Sequence, residues 1–244
     1  MSRRWILLPG TLCTSDVFSQ VLDRLAIPME CRVPISIDCA SIDDLWKLLP
    51  GDLSSDDMIC GFSLGAIAAL HLLPRLPRLA GAIIISGTAR PDMPQNLASR
   101  RALESLILAG DVTGAIYSIW PNLVADRHSG GLDLKKTIIA MAQAAAGNIS
   151  AQTSLALSRP GVIETLGFVE TPVLAITGEQ DRATPPDRAW EISRIARHGE
   201  CAIIADSGHF ALLEQPSSVA KTIQIWLSLI DGRENGRSSE PISK

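Results

Sequence analysis

No apolar run in this sequence approaches the length of a membrane span. The opening Met1-Ser2-Arg3-Arg4 leads into Trp5-Ile6-Leu7-Leu8, an apolar stretch too short for a signal peptide. There is no basic stripe and no interleaving of basic with aromatic residues, and the net charge is −4, which argues against nucleic acid as a partner. The five cysteines (13, 31, 39, 60 and 201) are odd in number and contain no C-x-x-C pair, so neither a disulfide framework nor a zinc ribbon is suggested. The expectation is a cytoplasmic protein with reduced, mostly buried thiols. No internal repeat is visible.

What is present fits one large α/β domain. The chain has 244 residues, enough to bury a core, and 46% of them are hydrophobic, which excludes disorder as the overall state. Trp5 to Leu8 reads as a first strand ended by Pro9-Gly10. Asp16 is placed to cap a helix from Val17 to Leu25, with Val17, Val21, Leu22 and Leu25 on one face. Cys31 to Ile37 reads as a strand that Pro34 interrupts or confines to an edge, and Ile42 to Leu49 as a short helix. Asp56 to Cys60, then Leu79 to Ile85, are buried strands on either side of a helix from Leu64 to Leu76. Alternation with continuously apolar strands implies a parallel sheet covered on both faces.

That rhythm breaks between residues 88 and 166. Leu97 to Leu108, Val112 to Trp120, Leu132 to Ala146 and Ile149 to Leu157 all read as helices with no strand between them. Such an insertion after a buried strand reads as a cap over the carboxyl ends of the sheet. Strand Pro172 to Ile176, helix Pro186 to Ala196 and strand Cys201 to Ala205 follow, and a last helix opens at Pro216 and runs to about Asp231. The organisation is therefore a core of residues 1–87 and 167–231, a cap of residues 88–166, and a polar tail of residues 232–244 expected to be disordered.

The chain is organised around Gly61-Phe62-Ser63-Leu64-Gly65, a G-x-S-x-G between strand and helix. There it describes a nucleophile elbow, a turn so tight that its serine takes a strained conformation and its flanking glycines avoid collisions. Ser63 would stand at the positive end of the following helix, where the Leu64 N–H can meet a developing oxyanion. A nucleophile needs a base and an acid. Asp181 follows a buried strand in Thr177-Gly178-Glu179-Gln180-Asp181-Arg182, and His209 follows the last strand in Ser207-Gly208-His209-Phe210. Both fall at the carboxyl edge of the sheet, where ligands gather in parallel sheets, in the chain order Ser, Asp, His. Asp187 and Asp206 are rivals for the acid. His71, His128 and His198 read as surface or cap residues.

Four segments, LLPGTLCT, GFSLG, TGEQDRATPP and SGHFALLEQP, together resemble the α/β-hydrolase-fold superfamily, from the first strand through the last helix. The chain most resembles compact bacterial carboxylesterase-like members with a four-helix cap. The resemblance implies a three-layer fold, with helices on both faces of a mostly parallel sheet of about six strands. It implies a Ser63–His209–Asp181 triad, and it points to Thr11 N–H as the partner of Leu64 N–H in the oxyanion hole. Pro9 stands where most relatives have histidine. The substrate would be a small, largely apolar ester or thioester, with no metal or organic cofactor, and the protein a monomer or homodimer. Leu12, Phe62, Tyr117, Trp120 and Phe210 are candidate substrate contacts, with Leu123 and Met141 further possible lining. Cys13 reads as packing that could touch substrate. Arg100-Arg101 reads as a solvated helix face, with pairing to a substrate carboxylate as the alternative. The same fold also serves lyases, C–C bond hydrolases in which His209 would act as base, cofactor-free oxygenases and ligand receptors.

Overall fold

Successive side chains of a strand point to opposite faces, and in this protein both faces are apolar. Trp5, Leu7, Met58, Cys60, Phe62, Ile83 and Ile85 enter one core, while Ile6, Leu8, Ile59, Ala82 and Ile84 enter a second one. A sheet with two buried faces needs helices on both sides, and the computed structural model, which describes residues 3–237, has them. The strands are β1 (Trp5–Leu8), β2 (Arg32–Pro34), β3 (Met58–Phe62), β4 (Gly81–Ile85), β5 (Val173–Gly178) and β6 (Gly199–Ile204). They form one sheet in the order β2-β1-β3-β4-β5-β6 with every neighbouring pair parallel.

The α-helices are α1 (Ser19–Arg24), α2 (Leu64–Leu72), α3 (Asn96–Leu108), α4 (Val112–Leu123), α5 (Leu132–Ala145), α6 (Ile149–Ser158), α7 (Ile163–Leu166), α8 (Pro186–Ile195), α9 (Ala211–Glu214) and α10 (Pro216–Arg237). Helices α2 and α8 pack on the sheet face that holds the second core, and α10, against α1, on the face that holds the first. Between β4 and β5 the chain forms helices joined by loops and no strand, with α3 packing on α4 and α6, and α4 on α5. These four helices form the expected cap. Ile107, Ile116, Trp120, Ile138 and Met141 join the first core, and Leu155 and Ala156 of α6 join the second. Each large apolar side chain so buried contributes about 1.5–3 kcal/mol.

Local differences from the sequence reading have physical causes. Strand β2 is three residues long and forms the edge of the sheet, the place where Pro34, which has no N–H, is tolerated; just beyond it Ile35 N–H still donates to the Leu7 carbonyl at 2.9 Å. Thr14, not Asp16, caps the first turn, its Oγ1 accepting from Asp16 N. That turn (Ser15–Phe18) is 3-10, and α1 begins only at Ser19. Helix α4 carries Pro121 within it and runs on to Leu123. Helix α10 continues past Asp231 to Arg237, so the polar segment expected to be disordered is helical in its first part; the remainder lies outside the described residues.

His71 is also a correction, because it is buried in α2 rather than exposed. Burial, reinforced by the Arg159 and Arg75 guanidiniums, pushes its pKa from 6.5 down to about 4. The folded protein therefore keeps His71 neutral where the unfolded chain already takes up a proton. Stability should fall as pH drops from about 6.5 towards about 4, by on the order of 2 kcal/mol. Urea midpoints at pH 7 and pH 4.5 check this: His71→Leu should show a smaller acid loss than wild type.

Candidate active site

The β3–α2 turn leaves no room for side chains on its flanks. A Cβ on Gly61 would lie 2.4 Å from the Gly65 carbonyl oxygen, and one on Gly65 would lie 1.9 Å from the Leu8 carbonyl oxygen in β1. Within this closed crossing Ser63 adopts φ 51° and ψ −115°, a conformation that side chains rarely hold without surrounding constraint. The Ser63 N–H donates to the Ile85 carbonyl at 2.9 Å, which fixes the turn to β4. The Ser63 hydroxyl is thereby presented at the carboxyl edge of the sheet.

Two loops from that edge meet it. The Ser63 hydroxyl lies 2.9 Å from His209 Nε2, and His209 Nδ1 lies 2.9 Å and 3.1 Å from the two oxygens of Asp181. With the ring proton on Nδ1, His209 donates to Asp181 and Nε2 is free to accept from Ser63. The loops are joined by Glu179 N–H to the Ile204 carbonyl (2.9 Å) and Gln180 N–H to the Ser207 carbonyl (2.8 Å). Asp181 Oδ1 accepts from the Ala183 and Thr184 N–H groups at 2.9 and 2.8 Å, and Oδ2 from the Thr184 hydroxyl at 2.8 Å. Burial pushes the Asp181 pKa up, but His209 and these donors outweigh it and hold the carboxyl below its ordinary value. Asp181 is therefore a buried carboxylate that stays ionised. Of its rivals, Asp206 pairs with Arg127 at 2.9 Å, and Asp187 points its carboxylate to Arg188.

Some of the supporting residues escaped the sequence reading. The buried Ser86 hydroxyl donates to the His209 carbonyl at 3.0 Å, and Ser86 itself has φ 51°. Glu214 accepts from Gly208 N–H in the histidine loop (3.0 Å) and from Ala125 N–H just beyond α4 (2.8 Å), tying cap to core. Gln152 of α6 accepts from Leu12 N–H at 3.0 Å and donates to the Ile37 carbonyl at 3.2 Å. Thr184 and Glu214 lie inside the quoted segments TGEQDRATPP and SGHFALLEQP, so each left a trace in sequence. Ser86 and Gln152, the latter one of five polar residues on α6, left none.

A cavity of about 440 Å³ lies over Ser63, within the roughly 300–1,000 Å³ typical of small-molecule sites. Thr11, Leu12, Phe62, Leu64, His209 and Phe210 all line it. The Thr11 N–H makes no hydrogen bond among the described residues, and Leu64 is the first residue of α2, where an N–H has no intrahelical acceptor. Phe62 packs its ring 5.1 Å from Phe210 and 5.2 Å from His209. Two expected contacts are not in the lining. Tyr117 is half exposed with the Lys135 ammonium 4.8 Å from its ring, and Trp120 is buried with its indole N–H donating to the Ser129 carbonyl. Met141 is core packing, whereas Leu123 lines the cavity. Cys13 lines it too, but burial pushes its thiol up to about 12, so it stays protonated. Arg101 pairs with Glu104 away from the cavity, and Arg100 lines it while clasping Asp92.

Residues 29–222 match the model of the "Alpha/beta hydrolase family", and the chain belongs to that family. It is 24% identical over 241 residues to the pimeloyl-[acyl-carrier protein] methyl ester esterases of Xanthomonas oryzae pv. oryzae and Xanthomonas axonopodis pv. citri, covering 92% of this chain and 95% of theirs. Among solved structures, a thermophilic esterase from Thermogutta terrifontis superposes with a TM-score of 0.82 at 21% identity, over 94% of this chain and 91% of that one. The enol-lactonase of Burkholderia xenovorans superposes with a TM-score of 0.76 at 15% identity, over 93% and 92%.

The closed crossing at Gly65 can be tested directly. Gly65→Ala should destabilise the protein by about 3 kcal/mol or more, because the colliding atom is backbone rather than a movable side chain. Urea denaturation of the variant beside wild type measures this.

Proposed function

We propose that this member of the alpha/beta hydrolase family is a serine hydrolase that cleaves an ester of a small, largely apolar acid through an acyl-enzyme. The observation that carries the reading is the unbroken hydrogen-bond chain from the Ser63 hydroxyl through His209 to Asp181, lying under a cavity. The relatives named as methyl ester esterases support an ester over other acyl compounds.

In the proposed reaction the Ser63 oxygen attacks the ester carbonyl carbon while its proton passes to His209 Nε2. Asp181 stabilises the imidazolium that results and holds the ring in the tautomer that made transfer possible. The oxyanion receives hydrogen bonds from the N–H groups of Thr11 and Leu64, the second also set at the positive end of α2. Collapse breaks the bond to the leaving alkoxide, which takes the proton from His209 and departs as an alcohol. Water then repeats the sequence on the acyl-enzyme: its proton goes to His209, its oxygen to the carbonyl carbon, and Ser63 recovers the proton as the acid leaves. The protonated, buried Cys13 does not compete as nucleophile. A cytoplasmic setting agrees with five free cysteines.

Ser63→Ala should reduce turnover of p-nitrophenyl esters by roughly 10⁶-fold and Asp181→Asn by roughly 10⁴-fold, with both proteins folded. Steady-state kinetics over a series of acyl-chain lengths, with circular dichroism of each variant, checks this. Undiminished turnover in Ser63→Ala would overturn the acyl-enzyme reading.

A further inference from the structure

The cavity above Ser63 has a mixed lining. Leu103, Ile116, Ile119, Leu123 and Phe210 are among its apolar residues. Five arginines also line it, at 90, 100, 159, 182 and 188, against a single lining carboxylate, Asp92. Two of the five are neutralised from outside the cavity, Arg90 by a fork on Glu191 and Arg182 by Asp126. The other pairings are uneven. Arg100 takes both Asp92 oxygens, at 2.6 and 2.9 Å, and Asn96 Nδ2 takes one of them as well. Arg159 is left with a 3.3 Å contact to that same Asp92 Oδ1 and with the Ala156 carbonyl at 2.5 Å.

Arg159 is thus a buried cation without a full partner. Its side chain is 3% exposed, and its Nε has no hydrogen-bond partner among the described residues. Two guanidiniums sharing one carboxylate leave a surplus of one positive charge, and such a charge is costly to hold away from water unless an anion meets it. Arg188 lies on the same cavity. Its buried Nη1 is 3.0 Å from Asp187 Oδ2 but is not aligned for a hydrogen bond.

We propose that Arg159 marks a subsite for a carboxylate carried by the substrate, so that the preferred ester is the half-ester of a dicarboxylic acid. Its free carboxylate meets Arg159, its methylene chain lies against the apolar lining, and its ester carbonyl reaches Ser63. A carboxylate matches the surplus in charge, whereas a phosphate group, at about −1.5 to −2, would exceed it. A guanidinium also suits a carboxylate in shape, since both are planar and can bond through two parallel contacts. This inference rests on the hydrolase reading of Ser63.

The experiment separates the two. Isothermal titration of monomethyl adipate and of methyl hexanoate into Ser63→Ala protein reads the subsite without turnover. Monomethyl adipate should bind at least tenfold more tightly, and Arg159→Gln in the same background should remove most of that difference. Arg101→Gln, outside the cavity and paired with Glu104, should keep it. Methanol release by wild type from the same two esters should show the same order in kcat/KM. Equal affinity of Ser63→Ala protein for both esters would overturn the subsite, whether or not wild type hydrolyses either. Hydrolysis of neither ester by wild type, with the affinity difference intact, would instead count against the hydrolase reading. The comparison of the two esters needs no change at Arg159, so it decides the matter even if Arg159→Gln fails to fold.

Discussion

The rest of the structure depends on a steric closure between β1, β3 and α2. The backbone of Gly65 passes so close to the Leu8 carbonyl that no side chain fits between them, and Gly61 is as tightly placed against the start of α2. Strand and helix can cross at that distance only if the residue between them turns sharply, which is why Ser63 sits at φ 51°. The strain is confined by the sheet: β3 lies between β1 and β4, and Ser63 N–H is bonded to Ile85. The serine is thus held at the end of an interior strand, its backbone bonded to the neighbouring strand.

The groups that meet Ser63 are placed by the same sheet edge. β5 delivers Asp181 and β6 delivers His209, and backbone bonds between the two loops remove their independent motion. Ser86 at the end of β4 holds the His209 carbonyl, so three neighbouring strands contribute to one imidazole. Asp181 stays ionised in a buried position because two backbone N–H groups, the Thr184 hydroxyl and His209 replace the water it has lost. Glu214 and Gln152 then connect this edge to the cap, one through the histidine loop and the other through the loop after β1. The cap thus bears on both the His209 loop and the loop after β1, and it closes a cavity lined by both apolar side chains and arginines.

Much of this was legible in the residues, for identifiable reasons. The fully apolar strands, the glycines around Ser63 and the chain order of Ser63, Asp181 and His209 are local patterns imposed by strong constraints, and they led to the sheet and to the hydrogen-bonded chain. Cap residues were read less well. Tyr117 and Trp120 are aromatic in both settings, both lie under the Lys135 ammonium, and only packing decides that one is half exposed and the other joins the core. The burial of His71 and the unequal sharing of Asp92 by Arg100 and Arg159 join residues far apart in sequence, so no spacing announces them. Cap geometry at Thr14 turned on a single hydrogen-bond acceptor.

The central claim is that Ser63 is an activated acyl nucleophile, and intact-mass labelling with a fluorophosphonate tests it most directly. A single adduct on wild type, mapped by peptide mass to Ser63 and missing from folded Ser63→Ala protein, is the result predicted. Folded wild type that takes up no label, or that takes it up equally after Ser63→Ala, would contradict the account.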